Sequence, residues 1–129
     1  MPKKNLPRPT DAELEILKVL WRRGPSTVRE VFETPGAARG TGYTTVLKLM
    51  QIMATKGLVE RDEGERAHRY EAALAEDETQ RRLVGELVQK AFDGSAKKLV
   101  LQALSSRRAT ADELAEIRRM LDELEGGKR

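Results

Sequence analysis

The 129-residue sequence contains no cysteine, which excludes disulfide bonds and thiolate metal sites. Its single histidine, His68, leaves a histidine-rich metal centre or an imidazole-based catalytic group without partners. Only five residues are aromatic (Trp21, Phe32, Tyr43, Tyr70 and Phe92), so Leu, Val, Ile and Ala must build the core, which favours packed helices over a β-sandwich. No apolar run approaches the roughly 18 residues that cross a bilayer. The opening Met1-Pro2-Lys3-Lys4-Asn5 leads into no signal-peptide core. A cytoplasmic protein without membrane insertion is expected. Acidic residues fall at helix caps or on solvated helix faces, and no serine motif accompanies a base. Neither catalysis, nor a metal, nor a cofactor is therefore expected.

What is present is charge and periodicity. Charged residues make up 35% of the chain, yet the apolar residues recur at regular spacing, which marks a folded protein with a heavily charged surface. The net charge of +3 is unevenly placed. Residues 1–70 carry 13 Lys/Arg against 9 Asp/Glu, and residues 71–129 carry 11 against 12. A basic front and a near-neutral rear fit a nucleic-acid reader joined to an association module.

Residues 1–9 read as a Pro- and Lys-containing arm. Thr10 with Glu13 makes a capping box that opens a first helix, with Leu14, Leu17, Val19, Leu20 and Trp21 expected on its buried side and Gly24-Pro25 ending it. Thr27 with Glu30 repeats the device for a short second helix, closed by Thr34-Pro35-Gly36. A partly basic turn over 36–42 precedes a third helix from about Tyr43 to Lys56, with Val46, Leu49, Met50 and Met53 at helical spacing and Gly57 as its left-handed end. Leu58 to Asp62 and Ala67 to Glu71 read as two short strands around a charged tip.

The remainder reads as helices. One is expected over Asp77–Phe92, and a short apolar one over Lys97–Leu104. After a Ser105–Arg108 linker, the last helix is capped by Thr110 and Glu113. Its Leu114, Ile117, Leu121 and Leu124 form a heptad-type seam about two heptads long. The fold class expected is thus mainly α with a small β-hairpin. Residues 10–75 would form a winged helix-turn-helix DNA-binding domain and residues 76–126 a helical dimerisation region.

A helix followed at once by a hairpin is how a winged helix presents itself to DNA. The major groove admits one helix, and base edges are met by residues near its N-terminus. Here these are Tyr43, Thr44, Thr45 and Lys48, with Arg39, Arg61, Arg66 and Arg69 available to phosphates. Sixty residues of short apolar helices hold too little core to stand alone. They can bury their stripes on a second copy, through Leu87, Leu99, Leu101, Leu114, Ile117, Leu121 and Leu124. The other reading folds them back onto the front domain in a monomer. A homodimer would demand a palindromic double-stranded operator. The competing functional reading is a winged-helix protein-interaction module without DNA binding, which need not keep Arg39, Lys48 and Arg66 on one side.

Four segments then carry a resemblance. Thr10-Asp11-Ala12-Glu13-Leu14-Glu15-Ile16-Leu17-Lys18-Val19-Leu20-Trp21, Ser26-Thr27-Val28-Arg29-Glu30-Val31, and Gly42-Tyr43-Thr44-Thr45-Val46 with Lys56-Gly57-Leu58-Val59-Glu60-Arg61 resemble the penicillinase-repressor family (BlaI/MecI/CopY). The resemblance spans nearly the whole chain and is strongest over residues 8–72. It implies a dimeric bacterial repressor of genes for β-lactam resistance or related stress responses, with the third helix reading operator bases. In β-lactam-responsive members a membrane sensor protease triggers cleavage at an Asn-Phe bond. By position that bond falls at Gln102-Ala103, which departs from the pattern. Copper-responsive members carry a cysteine motif that this chain lacks.

Overall fold

The computed structural model describes residues 6–36, 40–64 and 68–127. The expected positions Arg39 and Arg66, residues 1–5 of the arm, and Ala67 of the second strand lie outside the described residues. The elements in order are α1 (Asp11–Arg23), α2 (Val28–Glu33), α3 (Tyr43–Lys56), β1 (Val59–Asp62), β2 (Arg69–Ala72), α4 (Glu76–Ala91), α5 (Ala96–Ser106) and α6 (Ala111–Gly126). Three helices followed by a hairpin make a winged helix-turn-helix, and the protein is mainly α. The chain forms two compact units, residues 1–83 and 84–129. The division falls inside α4, because Leu74 and Thr79 are buried within the front unit.

Capping sets the helix starts. Thr10, Thr27 and Thr110 each accept a hydrogen bond from the backbone N–H three residues on, and Glu13, Glu30 and Glu113 reach back to the cap's own N–H. Gly57, with φ of 88°, ends α3 in the left-handed conformation, and Leu58 N–H donates to Met53 O at 2.9 Å across that end. β1 and β2 pair antiparallel with Val59 opposite Ala72 and Arg61 opposite Tyr70.

The core of the front unit joins Ile16, Leu17, Val19 and Leu20 of α1 to Val28 and Val31 of α2, Val46, Met50 and Met53 of α3, and Leu58, Val59 and Tyr70 of the hairpin. Three polar links bind this apolar set together. Ser26, fully buried between α1 and α2, exchanges backbone hydrogen bonds with Tyr70 at 3.0 and 2.8 Å. The α1–α2 junction thereby becomes a one-residue third strand beside β2. Trp21 Nε1 donates to Leu74 O at 2.9 Å, clipping the segment after β2 to the end of α1. Lys56 Nζ donates to the buried Glu13 carboxylate at 2.7 Å, joining the last turn of α3 to the first turn of α1.

The rear unit has the opposite character, for neither α5 nor α6 has a buried residue. α5 is longer than the sequence suggests. Ser105 and Ser106, expected in a linker, are helical, their hydroxyls donating back to Leu101 O and Ala103 O at 2.7 and 3.4 Å. α4 ends at Ala91, and Asp93 and Gly94 turn the chain away at positive φ, with Gly94 N–H donating to Val88 O at 2.9 Å. Among the described residues no helix is long and apolar enough to cross a membrane.

Candidate nucleic-acid interface

The outer face of α3 is built by elimination. At 3.6 residues per turn, burying Val46, Met50 and Met53 turns Thr44, Thr45, Lys48, Gln51, Ile52 and Thr55 outward, and all six are exposed. Of these, Thr44, Thr45, Lys48 and Gln51 make no side-chain hydrogen bond or ion pair with another described residue, whereas the Thr55 hydroxyl donates to Gln51 O at 3.2 Å. Gly42 starts the helix without a side-chain cap, so its first backbone N–H groups point to the same end as Thr44 and Thr45.

Tyr43 sits differently from its neighbours. It is half-buried, edge-on to Phe32 at a ring-centroid separation of 5.8 Å and an interplanar angle of 85°. The Arg29 guanidinium lies 4.6 Å from its ring centroid. Tyr43 therefore fixes the start of α3 against α2 and holds Arg29 beside that start by cation–π attraction. Arg29 is an exposed cation at the interface that the sequence reading did not single out. Its partner ring, Tyr43, opens a different helix, so no local spacing rule could have identified the contact.

The two described wing arginines are engaged. Arg69 is half-buried, with Nη1 3.5 Å from Glu30 Oε1. Glu30 also accepts the Thr27 N–H at 2.9 Å and lies 3.5 Å from Arg23. The bond from Thr27 foremost, with Arg23 and Arg69 adding to it, holds its carboxyl below the ordinary range. Arg61 Nε donates to Glu63 at 2.8 Å, and the Tyr70 hydroxyl beside it, with Glu63, keeps the guanidinium firmly protonated. His68 is exposed in the wing. A shallow cleft lined by Gln51, Ala54, Thr55, Arg61 and Glu63 separates α3 from β1.

In the rear unit, Leu87, Leu101, Leu114, Leu121 and Leu124 are exposed, the last two by 56% and 63%, while Leu99 and Ile117 are half-buried. An open cleft between α5 and α6 is lined by Leu104, Ile117 and Met120 with Arg107, Arg108, Glu113 and Glu116 around it. Gln102 and Ala103 are exposed and lie inside α5. Among the described residues no group of His, Asp or Glu is placed to hold a metal ion.

Comparison with known proteins places this geometry. The family described as penicillinase repressor matches residues 9–123. The transcriptional regulator BlaI of Mycobacterium tuberculosis is 37% identical over 123 residues, covering 95% of this chain and 88% of that protein. The penicillinase repressor of Bacillus licheniformis is 21% identical over 126 residues, 98% of either chain. The methicillin resistance regulatory protein MecI of Mammaliicoccus sciuri is 20% identical over 113 residues, 88% of this chain and 92% of its own. Among solved structures, the transcriptional regulator Tm0710 of Thermotoga maritima aligns with a TM-score of 0.49 at 19% identity, over 91% of this chain and 74% of that one.

Proposed function

The chain belongs to the penicillinase repressor family, whose members are transcriptional repressors and not enzymes, and from that premise we propose that it represses transcription by binding a palindromic operator as a homodimer. The observation that carries this reading is the outward row of Thr44, Thr45 and Lys48 at the uncapped start of α3, with side chains that no other described residue engages. A helix N-terminus favours phosphate, threonine offers a hydroxyl and a methyl to base edges, and Lys48 adds positive charge within reach of the duplex. Arg29, held over Tyr43, supplies a phosphate contact at the same end. Residues 10–75 form the DNA-binding domain, Arg39 and Arg66 are further phosphate contacts in this reading, and Arg69 contributes through the wing that it ties to Glu30.

Residues 76–126 form the dimerisation region, through Leu87, Leu99, Leu101, Leu114, Ile117, Leu121 and Leu124. The exposed apolar row on α6 supports this, since it has no partner within its own helix. The regulated genes belong to β-lactam resistance or a related stress response, as the names of the MecI and penicillinase-repressor relatives suggest. A membrane sensor protease is the upstream partner in this reading. A cut at Gln102-Ala103 would require α5 to open locally, because a helical backbone does not fit an extended protease cleft.

The test is selection of bound fragments from genomic DNA by the full chain, followed by binding to the recovered sequence. Thr45→Ala should weaken operator binding roughly tenfold, the loss of one base-edge contact. It should leave unfolding within about 0.5 kcal/mol of wild type, as befits an exposed position. Binding that stays equally tight for every sequence would overturn the operator reading.

A further inference from the structure

The outward row does not end at Lys48. Gln51 and Ile52 continue it by one more turn, and neither has an evident role in folding. The Gln51 side-chain amide has no partner among the described residues. Ile52, 38% exposed, is the only large apolar side chain that stands exposed in the described part of the front unit. A single exposed isoleucine is ordinary on a protein surface. What distinguishes this one is its place in a polar row, four residues after Lys48 and seven after Thr45.

Helical geometry sets what the pair can reach. Seven residues return to nearly the same direction, with a drift of about 20°. Gln51 therefore lies almost in line with Thr44, and Ile52 with Thr45. At 1.5 Å per residue, the distance along α3 from Thr44 to Ile52 is about 12 Å. Base pairs stack at about 3.4 Å, so the row spans roughly three to four of them. Thr55, the next exposed position, has its hydroxyl committed to Gln51 O and offers no free donor. The unengaged polar part of the row thus ends at Gln51, beside the apolar Ile52.

We infer that Gln51 and Ile52 are specificity-determining residues, reading an A·T step that adjoins the bases met by Thr44, Thr45 and Lys48. The chemistry of the two side chains fits that step. A glutamine amide donates to adenine N7 and accepts from adenine N6 in the major groove, a pairing that no other base offers in the same geometry. A branched aliphatic side chain beside it covers the 5-methyl of thymine and has nothing to offer the cytosine amino group. This inference rests on α3 being the helix that enters the groove, and the experiment keeps the two apart.

Full-length wild type, Gln51→Ala and Ile52→Ala are each used to select from random duplexes, and their sequence profiles are compared. Wild type should show an A·T preference at one position within each half-site. Either substitution should flatten that preference, weakening the selected duplex about tenfold while leaving the other positions and the unfolding midpoint unchanged. A second arm replaces single thymines by deoxyuridine, which removes only the methyl group. One such replacement should weaken wild type several-fold and leave Ile52→Ala unaffected. The corresponding 7-deazaadenine duplex should do the same for wild type against Gln51→Ala. If the three profiles coincide while wild type still selects a sequence, the role of Gln51 and Ile52 is overturned and the repressor reading stands. If wild type selects no sequence, both fall.

Discussion

Glu13 closes the capping box of α1 and, from the same buried carboxylate, holds Lys56 at the end of α3. Burial is the largest single influence on its pKa and pushes it up, but the Lys56 hydrogen bond and charge and the Thr10 N–H outweigh it, leaving the carboxyl below its ordinary value. A carboxyl depressed in the folded state adds stability above its unfolded value of about 4.5, and that contribution is lost as pH falls through the folded value. Glu13→Gln keeps an oxygen to accept the Thr10 N–H but removes the charge facing Lys56. Lys56 is partly exposed and can take up water in its place. The variant should be destabilised by about 1–2 kcal/mol at neutral pH. Urea unfolding from pH 7 to 3 should show the gap to wild type closing below about pH 4.5; a constant gap would place the effect in packing alone. The cap role of Glu13 is legible in sequence because its partner is three residues away. The Lys56 pairing is not, because its partner is 43 residues away and no local rule connects them.

At the scale of elements, helix starts and stops were the most legible features. Each depends on neighbours: Thr with Glu three on, Gly57 after Lys56, Gly94 after Asp93. Faces were harder. Ile16 is fully buried and was not placed in the core, while Trp21, expected inside, is only half-buried because its indole N–H turns to Leu74 O. That contact is a tertiary choice, invisible to periodicity. The hairpin hid its organisation for a similar reason. Four-residue strands with imperfect alternation do not announce that Tyr70 points inward or that Ser26 pairs with it. On α3, the outward set followed from the spacing of Val46, Met50 and Met53, whereas Tyr43 is spent largely on Phe32 and Arg29. The Trp21 clip makes a measurable claim. Trp21→Phe leaves the Leu74 carbonyl unpaired and should lower stability by about 1 kcal/mol. A urea midpoint equal to that of wild type would show that water replaces the bond at no cost.

Across the whole molecule the two units differ in how they are held. The front unit encloses an apolar core crossed by the Ser26–Tyr70, Trp21–Leu74 and Glu13–Lys56 links. The rear unit leaves Leu101, Leu121 and Leu124 facing outward. Leu121→Asp, at the centre of the α6 row, should shift a dimer towards monomer by introducing a charge with no partner. Sedimentation velocity would reveal the shift, and an unaltered dimer fraction would remove that row from the interface. The absence of any buried residue in α5 or α6 carries a broader meaning. If a second copy covers these helices, as proposed above, their order obeys mass action and depends on how many copies share the cell. Scarcity would then dissolve the rear helices, and circular dichroism on dilution would register it as vanishing helix while the front unit stays folded.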